Sequence, residues 1–368
     1  MKKTICLNMI VKNEIHVIKR CFDSLKNHID YWVISDTGST DGTQEYIKSY
    51  FKEADIPGEL FEDEWKDFAH NRNIALKAAL EKSDYILFMD ADDYIEWNNN
   101  TGFNQLTADA YMLPMSSGKN LFSNIKLIKS DSEWEWQGVL HETLRCKSDY
   151  VLDYYTKDIL LIRSTRDGSR NNDPEKYLND AKILEKALIR EPLNTRYQFY
   201  LARSYYDAEL FEKSLDAFEK RINMGGWEEE VYYSFLSIAR CKLQLNSDSG
   251  EIINSYIKSY LYRPQRLEGL YEAIFFCRTK KLYTLGYQIG CLVKHVFLPK
   301  DILFLEPSVY EWRFLDEFSI CAIESNRPSE IISMLNHLIR SEKTPVEQKN
   351  RLKSNLEIAI KKINPLSI

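Results

Sequence analysis

Residues 90–93 read Asp-Ala-Asp-Asp directly after the apolar run Ile86-Leu87-Phe88-Met89. Carboxylates this close repel one another and cost free energy to bury unless a cation neutralises them. A strand end would set Asp90 and Asp92 on one side, two residues apart. That is a clamp for a hard divalent ion, Mn2+ or Mg2+, which keeps open positions for phosphate oxygens. The plainer reading is an Asp-rich turn. A further carboxylate, Asp36, ends the apolar run of residues 29–36 and opens the turn-rich "TGSTDGT". It could accept from a base N–H or a ribose hydroxyl, while Ser39, Thr40, Asp41 and Gly42 are turn and cap residues. "DFAHNRN" (67–73) places Asp67, His70, Arg72 and Asn73 in the first two turns of a helix. Asp67 suits its N-cap, and Arg72 could pair with a pyrimidine carbonyl or a phosphate or lie on a solvated face. "EWEWQGVLHETL" (133–144) sets Trp134 and Trp136 beside His141 and Glu142. Indole faces next to a carboxylate suit a sugar ring. Glu142 could be a general base and His141 a metal ligand or a diphosphate donor, and the residues alone leave these roles open.

These side chains lie far apart in sequence, so the scaffold must gather them. Short apolar strands are expected over 4–11, 29–36, 58–65 and 84–90, alternating with helices over 14–28, 43–53 and 67–81. Such alternation predicts a parallel sheet with right-handed crossovers, and in such sheets ligands sit at the carboxyl ends of the strands. Asp36, Glu62 to Glu64 and Asp90 to Asp93 all fall there. From about residue 174 the pattern turns wholly helical. Residues 174–227 fit the 34-residue helix–turn–helix template of tetratricopeptide repeats, with Leu184, Ala187 and Pro192, then Leu201, Ala202, Tyr205 and Phe218, in one register. Ser214 and Gln198 depart from the template, and "LPKDILFLEPSVYEW" (298–312) interrupts the helices with two prolines.

The chain has 368 residues, 44% hydrophobic and 28% charged, enough for about two domains. Its net charge of −6 argues against binding nucleic-acid backbones. The apolar run at the start stops at Lys12, Asn13 and Glu14, too short for a signal peptide, and no stretch approaches a membrane span. Seven scattered cysteines without a CxxC pair point to thiols in a reducing cytoplasm.

Five stretches occur in order: "LNMIVKNE", "VISDTGSTDGT", "DFAHNRNIAL", "ILFMDADD" and "WQGVLHE". Together they resemble family 2 glycosyltransferases of the GT-A fold that carry a tetratricopeptide-like C-terminal half, over roughly residues 4 to 240. The resemblance implies an α/β GT-A domain with a mixed, Rossmann-like sheet over 1–170 and an all-α domain over 171–368. It implies a nucleotide-sugar donor, with a UDP-sugar expected, and a divalent metal ion. The acceptor would be a glycan, a peptide or a lipid-linked sugar. On matching positions, Met9 to Val11 would line the base with Glu14 nearby, Asp36 would bind uracil or ribose, and Arg72 the base or phosphate. Asp90 would face the ribose, Ala91 and Trp136 would line the donor site, and Asp92 would hold the metal, joined by His141. Glu142, or else Asp93, would deprotonate the acceptor in an inverting displacement. Related enzymes often carry a histidine just before "DGSR"; here Arg163 and Arg166 precede it, and Arg163 could neutralise the diphosphate directly. The helical half could hold the acceptor or make a homodimer. The competing readings are an inactive first half attached to a peptide-binding adaptor, and a nucleotidyltransferase. The latter lacks its glycine-rich loop in "VKNEIHV".

Overall fold

The computed structural model describes residues 2–99, 102–103 and 105–364. The chain divides into two compact units, 1–192 and 193–368.

In the first unit, β1 (Ile5–Val11), α1 (Ile18–Leu25), β2 (Tyr31–Asp36), α2 (Thr43–Glu53), β3 (Gly58–Glu62), α3 (Phe68–Ala79) and β4 (Tyr85–Phe88) alternate as the periodicity predicts. The strands β5 (Asp93–Trp97), β6 (Ala110–Ser117), β7 (Asn120–Lys129), β8 (Trp134–Gln137), β9 (Thr143–Cys146), β10 (Leu152–Tyr154) and β11 (Leu160–Ser164) follow, then a 3-10 turn (Ser169–Asn172) and α4 (Lys176–Arg190). Among the described residues the main sheet has nine strands in the order β3-β2-β1-β4-β7-β6-β11-β5, with β10 beside β6. The first four are parallel. Strand β7 then runs antiparallel to both β4 and β6, so the sheet is mixed, as expected.

Alternation along the strands splits the core between two faces. Leu7, Met9, Ile34 and Leu87 pack with Ile18, Phe22, Ile47 and Phe51 of α1 and α2. Cys6, Val33, Ile86 and Phe88 face the other way, onto Leu76 and Ala79 of α3 and onto Trp134, Trp136 and Leu144 of the hairpin β8–β9. Buried Asn8 ties the layers, donating to the carbonyls of Val33 at 3.2 Å and Ala75 at 2.9 Å.

Helix α1 starts at Ile18, four residues later than the helix expected over 14–28. The intervening backbone is claimed by the loop after β2: the N–H groups of Asn13, Glu14 and Ile15 donate to Ser39, Thr43 and Asp41. Asn13 itself adopts a left-handed conformation at φ 59°. Asp67 does cap α3, accepting from the His70 N–H at 2.8 Å.

The second unit is all helical: α5 (Thr195–Asp207), α6 (Phe211–Asn223), α7 (Glu228–Gln244), α8 (Ser249–Tyr262), α9 (Glu268–Thr279), α10 (Tyr283–Gly290), α11 (Phe314–Glu324), α12 (Ile332–Arg340) and α13 (Val346–Ile363). From α5 to α9 each helix packs on the next, as the repeat template predicts. The Pro-broken stretch is held by side chains of the neighbouring helices and their connections. Glu229 accepts from the backbone N–H groups of Ile302 at 2.8 Å and Leu303 at 2.7 Å. Arg266, fully buried and forked onto Glu268 at 3.0 Å, donates to the carbonyls of Leu303 and Phe304. Such buried charges persist only when fully partnered. No helix among the described residues is long and apolar enough to cross a membrane.

Candidate active site

Strand register brings the acidic residues together. Val11 pairs with Asp36 across β1–β2, Asp36 with Glu62 across β2–β3, and Asn8 with Phe88 across β1–β4. The carboxyl ends of β1, β2 and β4 therefore align, and Glu14, Asp36 and Asp90 to Asp93 follow directly from them.

Asp36 is fully buried. Its Oδ1 accepts from the Gly38 N–H at 2.9 Å, the Ser39 N–H at 2.7 Å and the Gln44 side chain at 2.9 Å. Its Oδ2, equally buried, has no hydrogen-bond partner among the described residues. An unsatisfied buried acceptor costs on the order of 1–3 kcal/mol, which a ligand N–H would relieve.

Asp90 and Asp92 do not form the single clamp expected of them: Asp90 is paired with cations of the chain's own, and Asp92 with a backbone N–H. The Arg72 guanidinium bridges Asp90 Oδ1 at 2.6 Å and Glu142 Oε1 at 2.5 Å and lies over the Trp136 ring. Lys126 Nζ lies 3.3 Å from Asp90 Oδ2. Burial would raise the Asp90 carboxyl, but the charges of Lys126 and Arg72 outweigh it and hold the group well below the usual range. Burial, with Asp90 adding to it and Lys126 opposing, pushes Asp93 up to about 7.

Asp92 points away from these cations. Its Oδ2 accepts from the Gly168 N–H at 3.2 Å, and Glu14 accepts from the Ser169 N–H at 3.2 Å. A Cβ on Gly168 would lie 3.2 Å from both carboxylates, so they flank one point. Burial raises both groups, Glu14 to about 7, and the Asp92 charge adds to the rise at Glu14. Two hard oxygen donors that are costly to keep charged suit Mg2+ or Mn2+, which binds through one or two carboxylates and completes its shell with phosphate oxygens. Among the described residues no three His, Cys, Asp or Glu side chains gather as a ligand set, so His141 does not complete one with Asp92 and Glu14. His141 is exposed, at φ 52° in the β8–β9 turn.

Several expected binding residues serve the scaffold as well. Met9, Val11 and Ala91 are buried. Trp136, 8% exposed, packs edge-on against Phe88 under Arg72, so its ring supports that arginine. Arg163 is engaged by Glu96 at 2.7 Å and Ser116 at 2.9 Å.

Three features of the site carry no signal in the sequence. Lys126 is one. Asn73, which the 67–73 motif singles out, has a partner that motif does not show: its side-chain amide donates to the Trp136 carbonyl at 2.9 Å and accepts from the Trp136 N–H at 2.8 Å, latching the hairpin that carries Glu142 onto α3. Arg20 donates to the Asp92 carbonyl at 3.2 Å, to Thr165 at 2.7 Å and to Asp167 at 2.8 Å, and so draws residues 165–169 over the strand ends. The backbone amides of Gly168 and Ser169 are the third. The "DGSR" stretch drew notice only for the histidine it lacks; its backbone donors carry no side-chain signal.

Residues 6–98 match the model of glycosyl transferase family 2. The SPbeta prophage-derived glycosyltransferase SunS of Bacillus subtilis (strain 168) is 24% identical over 271 residues, which cover 70% of this chain and 61% of SunS. Glycosyltransferase SunS of Bacillus phage SPbeta matches to the same extent. The chain thus spans about three fifths of the length of these curated relatives. Among solved structures, S. aureus TarS is similar at 15% identity and a TM-score of 0.35, covering 72% of this chain and 55% of TarS, too distant a likeness to argue from. The first unit therefore contains a glycosyl transferase family 2 segment, as its motifs implied.

Proposed function

We propose that the chain transfers a sugar from a nucleotide-diphosphate sugar, a UDP-sugar in the simplest case, to an acceptor hydroxyl or other nucleophile by one inverting displacement. The activity named for SunS agrees with this reading. The observation that carries it is the buried, unpartnered Asp36 Oδ2 on the same strand-end line as Asp90 and Asp92. In this reading Asp36 accepts from the base N–H, and Asp90, braced by Arg72, takes the ribose hydroxyls. Met9, Val11 and Ala91 shape the floor through their backbone, Trp136 supports Arg72, and Arg163 stands at the rim. Asp92, with Glu14 beside it, would hold the divalent ion, and His141, exposed in the β8–β9 turn, stays outside that pair. When bound, that ion supplies compensation for the negative charge growing on the departing diphosphate.

Glu142 is the proposed base. The Arg72 fork fixes its carboxylate, and its side chain keeps 11% exposure, whereas Asp93 keeps 2% and is screened by Lys126. Glycan, peptide and lipid-linked sugar acceptors, and homodimerisation through the helical half, remain proposals of the same reading.

Calorimetry of the full chain with UDP-glucose, UDP-galactose, UDP-N-acetylglucosamine and GDP-mannose, with and without Mn2+, tests the donor. One should bind, and binding of none would remove the proposal. Asp92→Ala should abolish the Mn2+-dependent part of that binding with a nearly unchanged melting temperature, because the charge it removes is one that burial disfavours. Full-strength Mn2+-dependent binding would take Asp92 out of the site.

A further inference from the structure

The question raised by Asp-Ala-Asp-Asp is which cation neutralises it, and part of the answer is within the chain. Along β7, Leu127 pairs with Tyr111 but Ile125 pairs with Met112, so Lys126 is an extra residue bulged out of the β6–β7 ladder. Its neighbours show what the bulge does. Leu127 packs in the core on the α1–α2 face, while Ile128 and Ile125 both pack on the α3 face. Regular alternation would put residues 125 and 128 on opposite faces. A bulge re-aims a side chain by inserting one residue into one strand only, and such bulges are common beside active sites.

The re-aimed side chain is buried, 8% exposed, which is rare for lysine without a partner. Its Nζ lies 3.3 Å from Asp90 Oδ2 and 3.9 Å from Asp93 Oδ2. Among the described residues it is the one cation within ion-pair distance of Asp93, whose Oδ2 has no hydrogen-bond partner. Arg72 closes the other side of Asp90. Asp92 touches neither cation and turns to Gly168.

We propose that Lys126 is a resident counter-ion of this carboxylate cluster. It is a positioning residue that withholds Asp90 and Asp93 from any divalent ion and leaves Asp92 as the only member of the trio open to one. The metal question and the charge question then separate. The bulged lysine balances the inner pair permanently, and an exchangeable ion reaches only the outer carboxylate. This rests on the site proposed above, but its first test does not need a nucleotide.

Mn2+ alone is titrated into the full chain and followed by electron paramagnetic resonance. Lys126→Met frees Asp90 and should tighten Mn2+ binding at least tenfold, and Lys126→Arg, which keeps the charge, should stay within about twofold of the unsubstituted chain. Adding Asp90→Asn to Lys126→Met should erase the gain. Should Lys126→Met fold poorly because it strands Asp93, the double variant Lys126→Met/Asp93→Asn removes that burden and should still bind Mn2+ more tightly. Affinity unchanged or weakened on loss of the lysine, or a gain that survives Asp90→Asn, overturns the proposal. A second readout is UDP affinity in EDTA. It should fall at least tenfold in Lys126→Met and recover in Lys126→Arg, because Asp90 loses the partner that orients it; loss without recovery in the arginine variant also counts against the proposal. If the unsubstituted chain binds no nucleotide, the donor reading fails while the Mn2+ comparison still decides the role of Lys126.

Discussion

At the residue scale the first unit uses carboxylates in unlike environments. Asp36 has three donors on one oxygen and none on the other. Asp36→Asn would turn an amide toward donors that need an acceptor, and UDP affinity measured by calorimetry should fall about tenfold or more, the usual scale for one buried hydrogen bond to a charged group. Most of these acids were legible in the sequence, because each ends an apolar run and strand ends are where such sheets bind ligands. Lys126 was not legible. "NIKLIK" reads as an ordinary half-buried strand with an outward lysine, and only the missing partner in the β6–β7 ladder turns that lysine inward. The pairing of Arg72 with Glu142 was equally hidden, since 70 residues separate them and no local pattern links the two.

At the element scale the hairpin β8–β9 is a small separate sheet, and it needs an external hold to present Glu142. Asn73 provides it with two hydrogen bonds to the Trp136 backbone. Asn73→Ala strands both backbone groups and should lower stability by about 1–3 kcal/mol. In a transfer assay it should reduce kcat more than it raises the donor KM, because the donor carboxylates stand on other elements; an unchanged kcat would show that the hairpin does not position the base. The start of β1 depends on a different anchor. Asp84 accepts from the Thr4 N–H at 2.9 Å and pairs with Lys3, which hold its carboxyl down to about 2. A depressed carboxyl contributes stability above its unfolded value, about 3.9, and loses it as the pH falls toward 2. The melting-temperature gap between the unsubstituted chain and Asp84→Asn should therefore be full at pH 6 and shrink steadily below pH 4. Such anchors are illegible beforehand, because they join positions 80 residues apart through one backbone N–H.

At the scale of the whole molecule, a sheet unit and a helical unit were both readable from periodicity, two for strands and 3.6 for helices. What the pattern did not show is the treatment of residues 301–306, which lie between Pro299 and Pro307 where the helices are interrupted. They are gripped by Glu229 of α7 and by Arg263 and Arg266 of the α8–α9 connection. Just upstream, Phe297 is 72% exposed and Leu298 46%. A cut between them by a chymotrypsin-like protease should give two bands on a denaturing gel yet a single peak on gel filtration, with most of the circular dichroism at 222 nm retained. The severed C-terminal piece would stay bound by the same side chains, so the helical unit would behave as a self-complementing pair of fragments.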